Sequence, residues 1–358
     1  MPFCRALALG AALSFAPHAA CGAAAPPLEV RVVVVATFEV GKDTGDTPGE
    51  LQNWVERYPM PQTFPFPAGG HVLYWNAQDH VLAVLSGVGK SNTAATLMAL
   101  GLDRRFDFRH AYWILAGIGG IDPAAASIGS AAWAEHVVDG DLAYEIDARE
   151  TPANWPSGIV AYDRSTPFEP PAPPAVSDNG TLSYDLNPGL VGWAFQLTRD
   201  LALPDDAQLR AARTKYTGQP NAQRPPFVLV GDTVTADRFW IGTRMTSWAE
   251  HWVIYWTGGR GHLATSAEED AAYLQALTQL AAAGRVDRSR VLDLRTASDF
   301  TEPPPGTTAA ELLQSEATGN YAAYNESIEN AFLVASPVVR ELARHWKRYR
   351  NAIPSGPP

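Results

Sequence analysis

The chain has 358 residues and a formal net charge of −11. That length can bury a substantial core, and the negative charge gives no electrostatic footprint for nucleic acid, which we exclude as a partner. Beyond the N-terminus, no run of about twenty apolar residues offers a membrane span. The composition therefore predicts a soluble enzyme rather than a protein that spans the bilayer.

The N-terminus has the pattern of a targeting segment. An apolar run over residues 6–16 is followed by small residues, which is typical of a cleaved secretory signal, predicted over 1–25. We therefore expect a secreted or periplasmic protein. Lipid attachment at Cys21 is the less favoured alternative, because His18 stands where an aliphatic residue is expected. Since Cys4 is the only other cysteine, the mature chain is expected to lack disulfides and thiol nucleophiles.

The first strand is predicted over residues 30–37, because nearly continuous valine is typical of a strand buried on both faces. Glu39 follows directly after this strand, either as a solvated loop acid or as a site residue. Residues 71–74 and 81–85 predict a hairpin, and a helix is predicted over 92–102.

The turn before that helix has the sequence Ser-Gly-Val-Gly-Lys-Ser over residues 86–91. Such a turn lets backbone N–H groups approach a ligand closely, so Ser86 and Gly87 are candidate substrate contacts. The long spacing of a phosphate-binding Walker loop is missing. Glycine turns also close many strands for steric reasons alone, and that alternative stays open.

A second strand followed by glycines comes next. Residues 112–116 predict a buried strand that ends in Gly-Ile-Gly-Gly over 117–120. By the same reasoning, Gly117, Ile118 and Gly119 are candidate substrate contacts.

The middle of the chain predicts further strands within residues 129–141 and at 228–230. Between them, residues 150–226 form a Pro-rich, irregular stretch in which 187–200 predicts a helix. We interpret this stretch as an insertion in one domain that covers residues 26–358.

Two acids open a predicted helix over residues 265–284. Ser266 is its predicted N-cap, and Glu268 and Glu269 fall in the first turn, where the helix dipole favours acids. This placement explains both acids structurally. A pair of sugar hydroxyls can also donate hydrogen bonds to an ionised carboxylate. Glu268 and Glu269 are therefore both candidate substrate-binding residues. A last amphipathic helix is predicted over 338–349.

Residues 290–294 predict a short buried strand, and Asp299 lies just past its predicted end. Ligands of open α/β sheets bind at the carboxyl ends of strands. An Asp held there can stay protonated and act as a general acid. It could equally belong to a turn or cap a helix.

The order of these parts resembles the superfamily of nucleosidases and nucleoside phosphorylases. The matching segments are Ser-Gly-Val-Gly-Lys-Ser, Ala-Gly-Ile-Gly-Gly, Ala-Glu-Glu-Asp-Ala-Ala and Arg-Thr-Ala-Ser-Asp. Segments 139–142, 145–150, 221–227 and 291–299 are similar to the purine nucleoside permease family, named for nucleoside uptake in yeasts. The resemblance implies a three-layer α/β/α fold of the nucleoside phosphorylase type with a central mixed sheet.

The resemblance also implies roles for single residues. Asp299 matches the aspartate that gives a proton to purine N7 as the glycosidic bond lengthens. Glu269 matches the glutamate that holds the ribose 2'- and 3'-hydroxyls. Glu39 lies, within one residue, where nucleosidases carry the acid that activates water. Phe239 and Trp240 fall where the superfamily stacks the purine, because a π-face accepts a planar base.

The choice between hydrolysis and phosphorolysis depends on anion ligands. Phosphorylases of this superfamily hold phosphate with arginines, one of them just before the second glycine turn, because a guanidinium fork suits a tetrahedral oxyanion. Residues 114–116 contain no arginine. Lys90 and Lys42 remain candidate anion ligands, together with Arg224 and Arg244. We therefore predict hydrolysis of the N-ribosidic bond to free base and ribose.

A purine nucleoside is thus the predicted partner, and phosphate is a second one if the reaction is phosphorolysis. A binding protein that delivers nucleosides to a separate transporter is the other alternative. No cofactor is expected, and no cluster at ligand spacing predicts a metal. His136 and His251 are interpreted as ordinary packed or surface residues. A homo-oligomer stays open.

Overall fold

The computed structural model describes residues 26–162, 164–167, 182–317 and 321–356. The predicted signal segment lies outside the described residues. The strands are β1 (Leu28–Glu29), β2 (Val32–Ala36), β3 (Gln62–Phe64), β4 (Leu73–Asn76), β5 (Val81–Leu85), β6 (Phe106–Asp107), β7 (Tyr112–Ile121), β8 (Ala131–Trp133), β9 (His136–Asp139), β10 (Tyr144–Glu145), β11 (Ile159–Val160), β12 (Ser183–Asp185), β13 (Val228–Val230), β14 (Asp232–Thr235), β15 (Leu263–Ala267) and β16 (Val291–Phe300). The helices are α1 (Gln52–Arg57), α2 (Lys90–Leu102), α3 (Pro188–Thr198), α4 (Ala207–Arg213), α5 (Thr243–Trp256), α6 (Asp270–Ala282), α7 (Ala309–Glu316), α8 (Tyr324–Arg344) and α9 (Trp346–Tyr349).

One large mixed sheet organises the fold. Its strands follow the order β12-β9-β14-β15-β7-β2-β5-β4-β3. Strand β7 lies parallel to β2 and β16 and antiparallel to β15. Strand β16 also pairs with β8, which in turn pairs with β13. The carboxyl ends of β2, β7 and β16 therefore meet at one edge, where open α/β sheets bind ligands.

Helices cover both faces of this sheet. All five residues of β2 are fully buried, and successive strand side chains point to opposite faces, so both faces must be covered. Helix α8 packs against β16, β7, β8 and β2, while α2 packs against α6. This is the three-layer α/β/α fold with a central mixed sheet that the sequence predicts.

Most predicted elements are present with shifted ends. The valine strand is β2, the hairpin is β4 and β5, and the helix after the glycine turn is α2. Within the Pro-rich stretch, the predicted helix is α3, which packs against β13 and α8. Strand β12 of the same stretch pairs with β9 at the sheet edge.

Several predicted element ends are wrong. Strand β7 continues through the glycine cluster to Ile121, and β16 continues past Leu294 to Phe300. The two strands pair with each other along this extension, so hydrogen bonds between strands override the local preference of glycine for turns. Residues 265–267 belong to β15 instead of opening a helix, because they pair with β14. The last predicted helix is the end of α8 followed by α9, and α8 starts at Tyr324.

Candidate functional site

A cavity of about 340 Å³ opens at the sheet edge where β2, β7 and β16 end. Strand β15 and the residues after it complete the wall. The cavity is lined by Thr37, Phe38, Glu50, Val88, Ile118, Gly119, Gly120, Arg238, Phe239, Trp240, Ser266, Ala267, Glu268, Glu269, Arg295, Ser298, Asp299, Tyr321 and Tyr324. Four carboxyl groups and five aromatic rings therefore face one space of the size that holds a small ligand.

Asp299 reaches the cavity because β16 carries a bulge between Ala297 and Asp299 where it pairs with β7. A bulge breaks the alternation of a strand, so the consecutive residues Ser298 and Asp299 both face the cavity. The Ser298 hydroxyl donates to Asp299 Oδ1 at 2.6 Å. Burial raises the pKa of Asp299 to about 6, while the Ser298 bond opposes the rise. Asp299 is thus neither a turn residue nor a helix cap, and it can carry a proton near neutral pH.

A second carboxyl group, Glu316 at the end of α7, is buried near Asp299. Burial, together with the charge of Asp299, raises the pKa of Glu316 to about 8. No positive side chain of the described residues contributes to the pKa of either acid. This environment favours the protonated form of both groups.

Glu269 precedes α6 at its N-cap position, but its side chain makes no capping hydrogen bond. One carboxylate oxygen instead accepts from the backbone N–H of Gly89 at 3.0 Å, and the other accepts from Arg295 Nη2 at 2.8 Å. Because each carboxylate oxygen accepts one of these hydrogen bonds, the Glu269 carboxylate is held in the cavity wall as an acceptor. The helix-start explanation of Glu269 therefore does not describe its contacts.

Glu268 also lines the cavity. Its burial, and to a smaller extent the charge of the neighbouring Glu269, raise the pKa of Glu268 to about 7. Ser266, predicted to cap the helix, is a β15 residue that faces the cavity instead. This prediction was wrong because the strand extends to Ala267, which leaves the cap position three residues farther along the chain.

Glu50 is the acid that the structure brings to the end of the first strand. Its Oε2 accepts from the backbone N–H and the hydroxyl of Thr37 at 2.6 and 2.9 Å, and its Oε1 accepts from Ile118 N–H at 2.7 Å. The carboxyl is fully buried, which raises its pKa to about 7; the Arg295 guanidinium, 3.9 Å away, opposes that rise. A base with this pKa can take a proton from water near neutral pH.

Glu39 lies outside the cavity wall. Its carboxylate accepts hydrogen bonds from the backbone N–H groups of Val40, Gly49 and Gln52. These bonds tie the end of β2 to the start of α1. Glu39 thus holds in place the segment that carries Glu50, and Glu50 is the acid that lines the cavity near the end of β2.

The two glycine segments contribute differently from each other. Ile118 and Gly119 line the cavity as predicted, whereas Gly117, Ser86 and Gly87 are not among its lining residues. A side chain at Gly117 would collide with the Glu50 carboxylate, so this glycine makes room for it. Ser86 is buried against Thr93 at 3.0 Å. The first turn reaches the cavity through Val88 and through the bond from Gly89 to the sugar candidate Glu269.

Aromatic side chains form much of the remaining wall. Phe239 is 44% exposed and meets Tyr321 edge-on, with ring centroids 6.3 Å apart. Trp240 is partly buried and packs edge-on against Trp248 at 5.8 Å. Phe38 and Tyr324, with centroids 6.4 Å apart, lie in the wall near the end of β2. Both predicted platform residues are therefore in the wall.

The cations close to the cavity already have acidic partners. Lys90 Nζ lies 2.9 Å from carboxylate oxygens of both Asp139 and Asp141, and Lys90 is outside the wall. Arg238, in the wall, lies 3.1 Å from Glu145. Lys42 is exposed and also outside the wall.

Metal ligands are not clustered in the part of the chain that the structure describes, where no group of three His, Cys, Asp or Glu residues could hold an ion. His136 is buried, with its Nδ1 3.0 Å from Asp232. His251 lies 2.8 Å from the Ser247 carbonyl oxygen.

Sequence reasoning missed that Glu50 and Arg295 line the cavity. Glu50 lies 13 residues beyond Thr37 along the chain, so adjacency to a strand end could not find it. Arg295 offered a signal: it directly follows the strand predicted to be buried over residues 290–294, and an arginine in such a place is buried only when it is paired. Its guanidinium donates to Asp270, Glu269 and the Ile118 carbonyl.

Solved structures share this fold. The 5'-methylthioadenosine/S-adenosylhomocysteine nucleosidase of Streptococcus pneumoniae aligns with a TM-score of 0.52 and 16% identity, over 87% of this chain and 100% of that one. The futalosine hydrolase of Helicobacter pylori aligns with a TM-score of 0.53 and 13% identity, over 87% and 98% of the two chains. These likenesses establish the nucleoside phosphorylase type of fold.

Sequence relatives give the family. A probable purine nucleoside permease of Schizosaccharomyces pombe is 33% identical over 280 residues, which are 76% of this chain and 79% of that protein. The purine nucleoside permease of Candida albicans is 28% identical over 271 residues, 75% of this chain and 65% of that protein. The family model described as purine nucleoside permease matches residues 29–354. The chain belongs to the purine nucleoside permease family.

Proposed function

We propose that this protein binds purine nucleosides and hydrolyses their N-ribosidic bond to free base and ribose. The observation that carries the proposal is the meeting of Asp299, Glu269 and Glu50 in one cavity wall. These residues supply the three groups that the reaction needs: an acid that can carry a proton, a hydrogen-bond acceptor for the sugar and a base for water.

The roles follow from the environment of each group. Asp299 gives its proton to purine N7, so that the base leaves as a neutral molecule when the bond to C1' breaks. Glu50 takes a proton from the attacking water, whose oxygen forms the new bond to C1'. Glu269 accepts from the ribose 2'- and 3'-hydroxyls. One water is consumed: one of its protons passes to Glu50, the other stays on the new C1' hydroxyl, and the base leaves with the proton of Asp299. Exchange with solvent then moves the proton from Glu50 back to Asp299.

The charges around the cavity support water over phosphate as the nucleophile. Four carboxyl groups line the wall, and its two guanidinium groups, Arg238 and Arg295, already pair with carboxylates. A phosphate anion that used Arg295 would have to displace its buried partner Glu269, which costs far more than admitting a neutral water.

The product assay tests this proposal directly. Adenosine, inosine and guanosine are incubated with the protein in the presence and absence of phosphate, and bases and sugars are separated. We expect free base and ribose at a rate that phosphate leaves unchanged. Ribose 1-phosphate formed only with phosphate would instead assign the protein as a phosphorylase.

A second candidate function is nucleoside capture for uptake, favoured by the relatives named as purine nucleoside permeases. None of the helices within the described ranges is long and apolar enough to cross a membrane. In this alternative, the cavity delivers an intact nucleoside to a separate transporter. The two candidates differ in whether base is released from bound nucleoside.

Replacing Glu269 by Gln should lower kcat/KM more for ribosides than for 2'-deoxyribosides. Hydrogen bonds to a charged group contribute about 1.5–3 kcal/mol, so losing the charge should lower kcat/KM for adenosine by about ten- to a hundredfold. The loss for 2'-deoxyadenosine should be smaller, since one of the two hydroxyls is absent. Glu145→Gln, which changes a carboxylate outside the cavity wall, is the control and should leave the ratio between the two substrates unchanged. Equal losses on both substrates would remove Glu269 from sugar recognition.

The pH dependence of kcat/KM should be bell-shaped. Activity rises as Glu50, with a pKa of about 7, loses its proton, and falls as Asp299, with a pKa of about 6, loses its own. The maximum should therefore lie between about pH 6 and pH 7, the pKa values of Asp299 and Glu50. A rate still rising at pH 8 would conflict with Asp299 as the acid.

We further propose that the protein is exported, to the periplasm or the medium, after cleavage of residues 1–25. A chain that starts at residue 26 should fold and bind nucleosides as the full chain does, because the first described strand pairs begin at β1. N-terminal sequencing and circular dichroism would measure this. Recovery of the native protein in the membrane fraction with Met1 intact would refute the cleavage.

A further inference from the structure

A second hollow, of about 350 Å³, adjoins the cavity at the segment between β14 and α5. Residues 238–240 line both spaces, so the chain at these three residues forms the boundary between them. The acids that the proposed reaction uses line the cavity alone. A ligand in the cavity therefore reaches the second hollow past the rings of Phe239 and Trp240, and not past the sugar acceptor Glu269.

The lining of the second hollow is largely apolar. Beyond the shared segment, its wall consists of Ile241 and Met245 near the start of α5 and of one face of α7 that includes Ala310 and Leu313. Arg238 is the charged residue of this lining, and its guanidinium already pairs with a carboxylate. Leu313 is 46% exposed. Apolar surface exposed beside a candidate site is typical of a binding surface for an apolar group.

Contacts within the chain hold the two sides of the second hollow in place. Thr308 and Glu311 form a capping box that fixes the start of α7. Gly242, just before α5, has a φ of +125°, and a Cβ at this position would lie 3.3 Å from Ala309. Glycine therefore allows both the backbone conformation and the close approach of α7 to the start of α5. The shape of the second hollow is thus set by the fold.

We propose that the second hollow receives an apolar substituent on the six-membered ring of a bound purine base. This inference rests on the proposed function, which sets the base against Phe239 and Trp240 with the ribose at Glu269. In that pose N9 carries the ribose and N7 faces Asp299, so C8 lies enclosed between them. The six-membered ring is the part of the base that can extend past the aromatic residues.

The substrate class that follows is purine nucleosides with a bulky apolar group on the exocyclic nitrogen at C6 or on C2. A volume of about 350 Å³ lies within the range of small-molecule sites, so it accommodates a group of the size of a benzyl ring. A charged substituent would lose its hydration against this lining without gaining a partner. The second hollow therefore selects for apolar substituents.

Calorimetric binding of adenosine, N6-benzyladenosine and 2-benzylaminoadenosine tests the inference. We expect at least one benzyl nucleoside to bind about five- to tenfold more tightly than adenosine, because the ring leaves water for an apolar wall. Leu313→Ser should abolish this gain by removing apolar wall, and Ala310→Phe should abolish it by filling the second hollow. Both side chains are exposed on α7, so both variants should fold and bind adenosine within about twofold of the parental protein.

Two controls limit the interpretation. Leu102→Ser changes an exposed leucine at the end of α2 that lines neither space, and it should keep the gain. The nucleoside 5'-S-benzyl-5'-thioadenosine carries the same ring on the sugar, and its affinity should not respond to Leu313→Ser or Ala310→Phe. A loss confined to this sugar-substituted nucleoside would overturn the assignment to the base.

The remaining outcomes separate this inference from the proposed function. Adenosine that is cleaved while neither benzyl nucleoside gains affinity, or a gain that survives both α7 variants, would overturn the inference alone. Benzyl nucleosides that bind with the expected pattern but are never cleaved would refute the proposed hydrolysis and leave the second hollow assigned. A protein that binds none of these nucleosides would refute both.

Discussion

Asp299→Asn should keep nucleoside binding nearly intact and lower the rate of base release by about two to four powers of ten. The amide still accepts from Ser298 and can donate to N7, so the contacts of the ground state remain. It cannot transfer a proton, so the purine must leave as an anion. Binding by calorimetry and single-turnover base release by chromatography measure the two effects separately.

The leaving group provides the control for this variant. A nucleoside with an activated aryl leaving group needs little protonation, so its cleavage should be nearly as fast in Asp299→Asn as in the parental protein. Adenosine cleaved by the variant at the parental rate would exclude Asp299 as the general acid. An equal loss on the aryl substrate would point to misplacement of the site instead of loss of the proton.

Glu50→Gln should also lower the rate by about two to four powers of ten, because an amide cannot take a proton from water. The rising limb of the pH profile should disappear with it, since that limb is the ionisation of Glu50. Some stability will be lost, because the amide N–H₂ of Gln must face a backbone donor, either Thr37 or Ile118. Nucleoside binding should persist.

Glu39→Gln is the matched control for that loss of stability. Glu39 also accepts from backbone N–H groups, those of Val40, Gly49 and Gln52, but it lies outside the cavity wall. We expect comparable destabilisation in thermal unfolding with a nearly parental rate of cleavage. If Glu39→Gln loses the chemistry and Glu50→Gln retains it, the assignment of the base moves to Glu39, the candidate that the sequence offers.

The sequence was most informative for candidate site residues that lie near the carboxyl ends of predicted strands. Asp299 and Glu269 were found because ligands bind at the carboxyl ends of strands and because motif order resembles a known superfamily. Both lie in the cavity wall. The glycine cluster after the predicted strand placed Ile118 and Gly119 there, and the superfamily resemblance placed Phe239 and Trp240.

The sequence alone could not reveal contacts between residues that lie far apart along the chain. Glu50 enters the wall through bonds to Thr37 and Ile118, which are 13 and 68 residues away. Local propensity also misplaced the ends of β7 and β15, because pairing between strands overrides the turn preference of glycine and the helical preference of acids. The bulge that turns Asp299 into the cavity depends on the register against β7, which no local pattern reveals.

The central claim is that bound nucleoside is cleaved and not merely held. Parental protein in molar excess is mixed with adenosine labelled in the purine, quenched at intervals, and analysed for intact nucleoside and free adenine. We predict complete conversion to adenine and ribose without phosphate, with intact adenosine persisting on Asp299→Asn. Adenosine that stays bound and intact on the parental protein through prolonged incubation would contradict the account and assign the cavity to nucleoside capture.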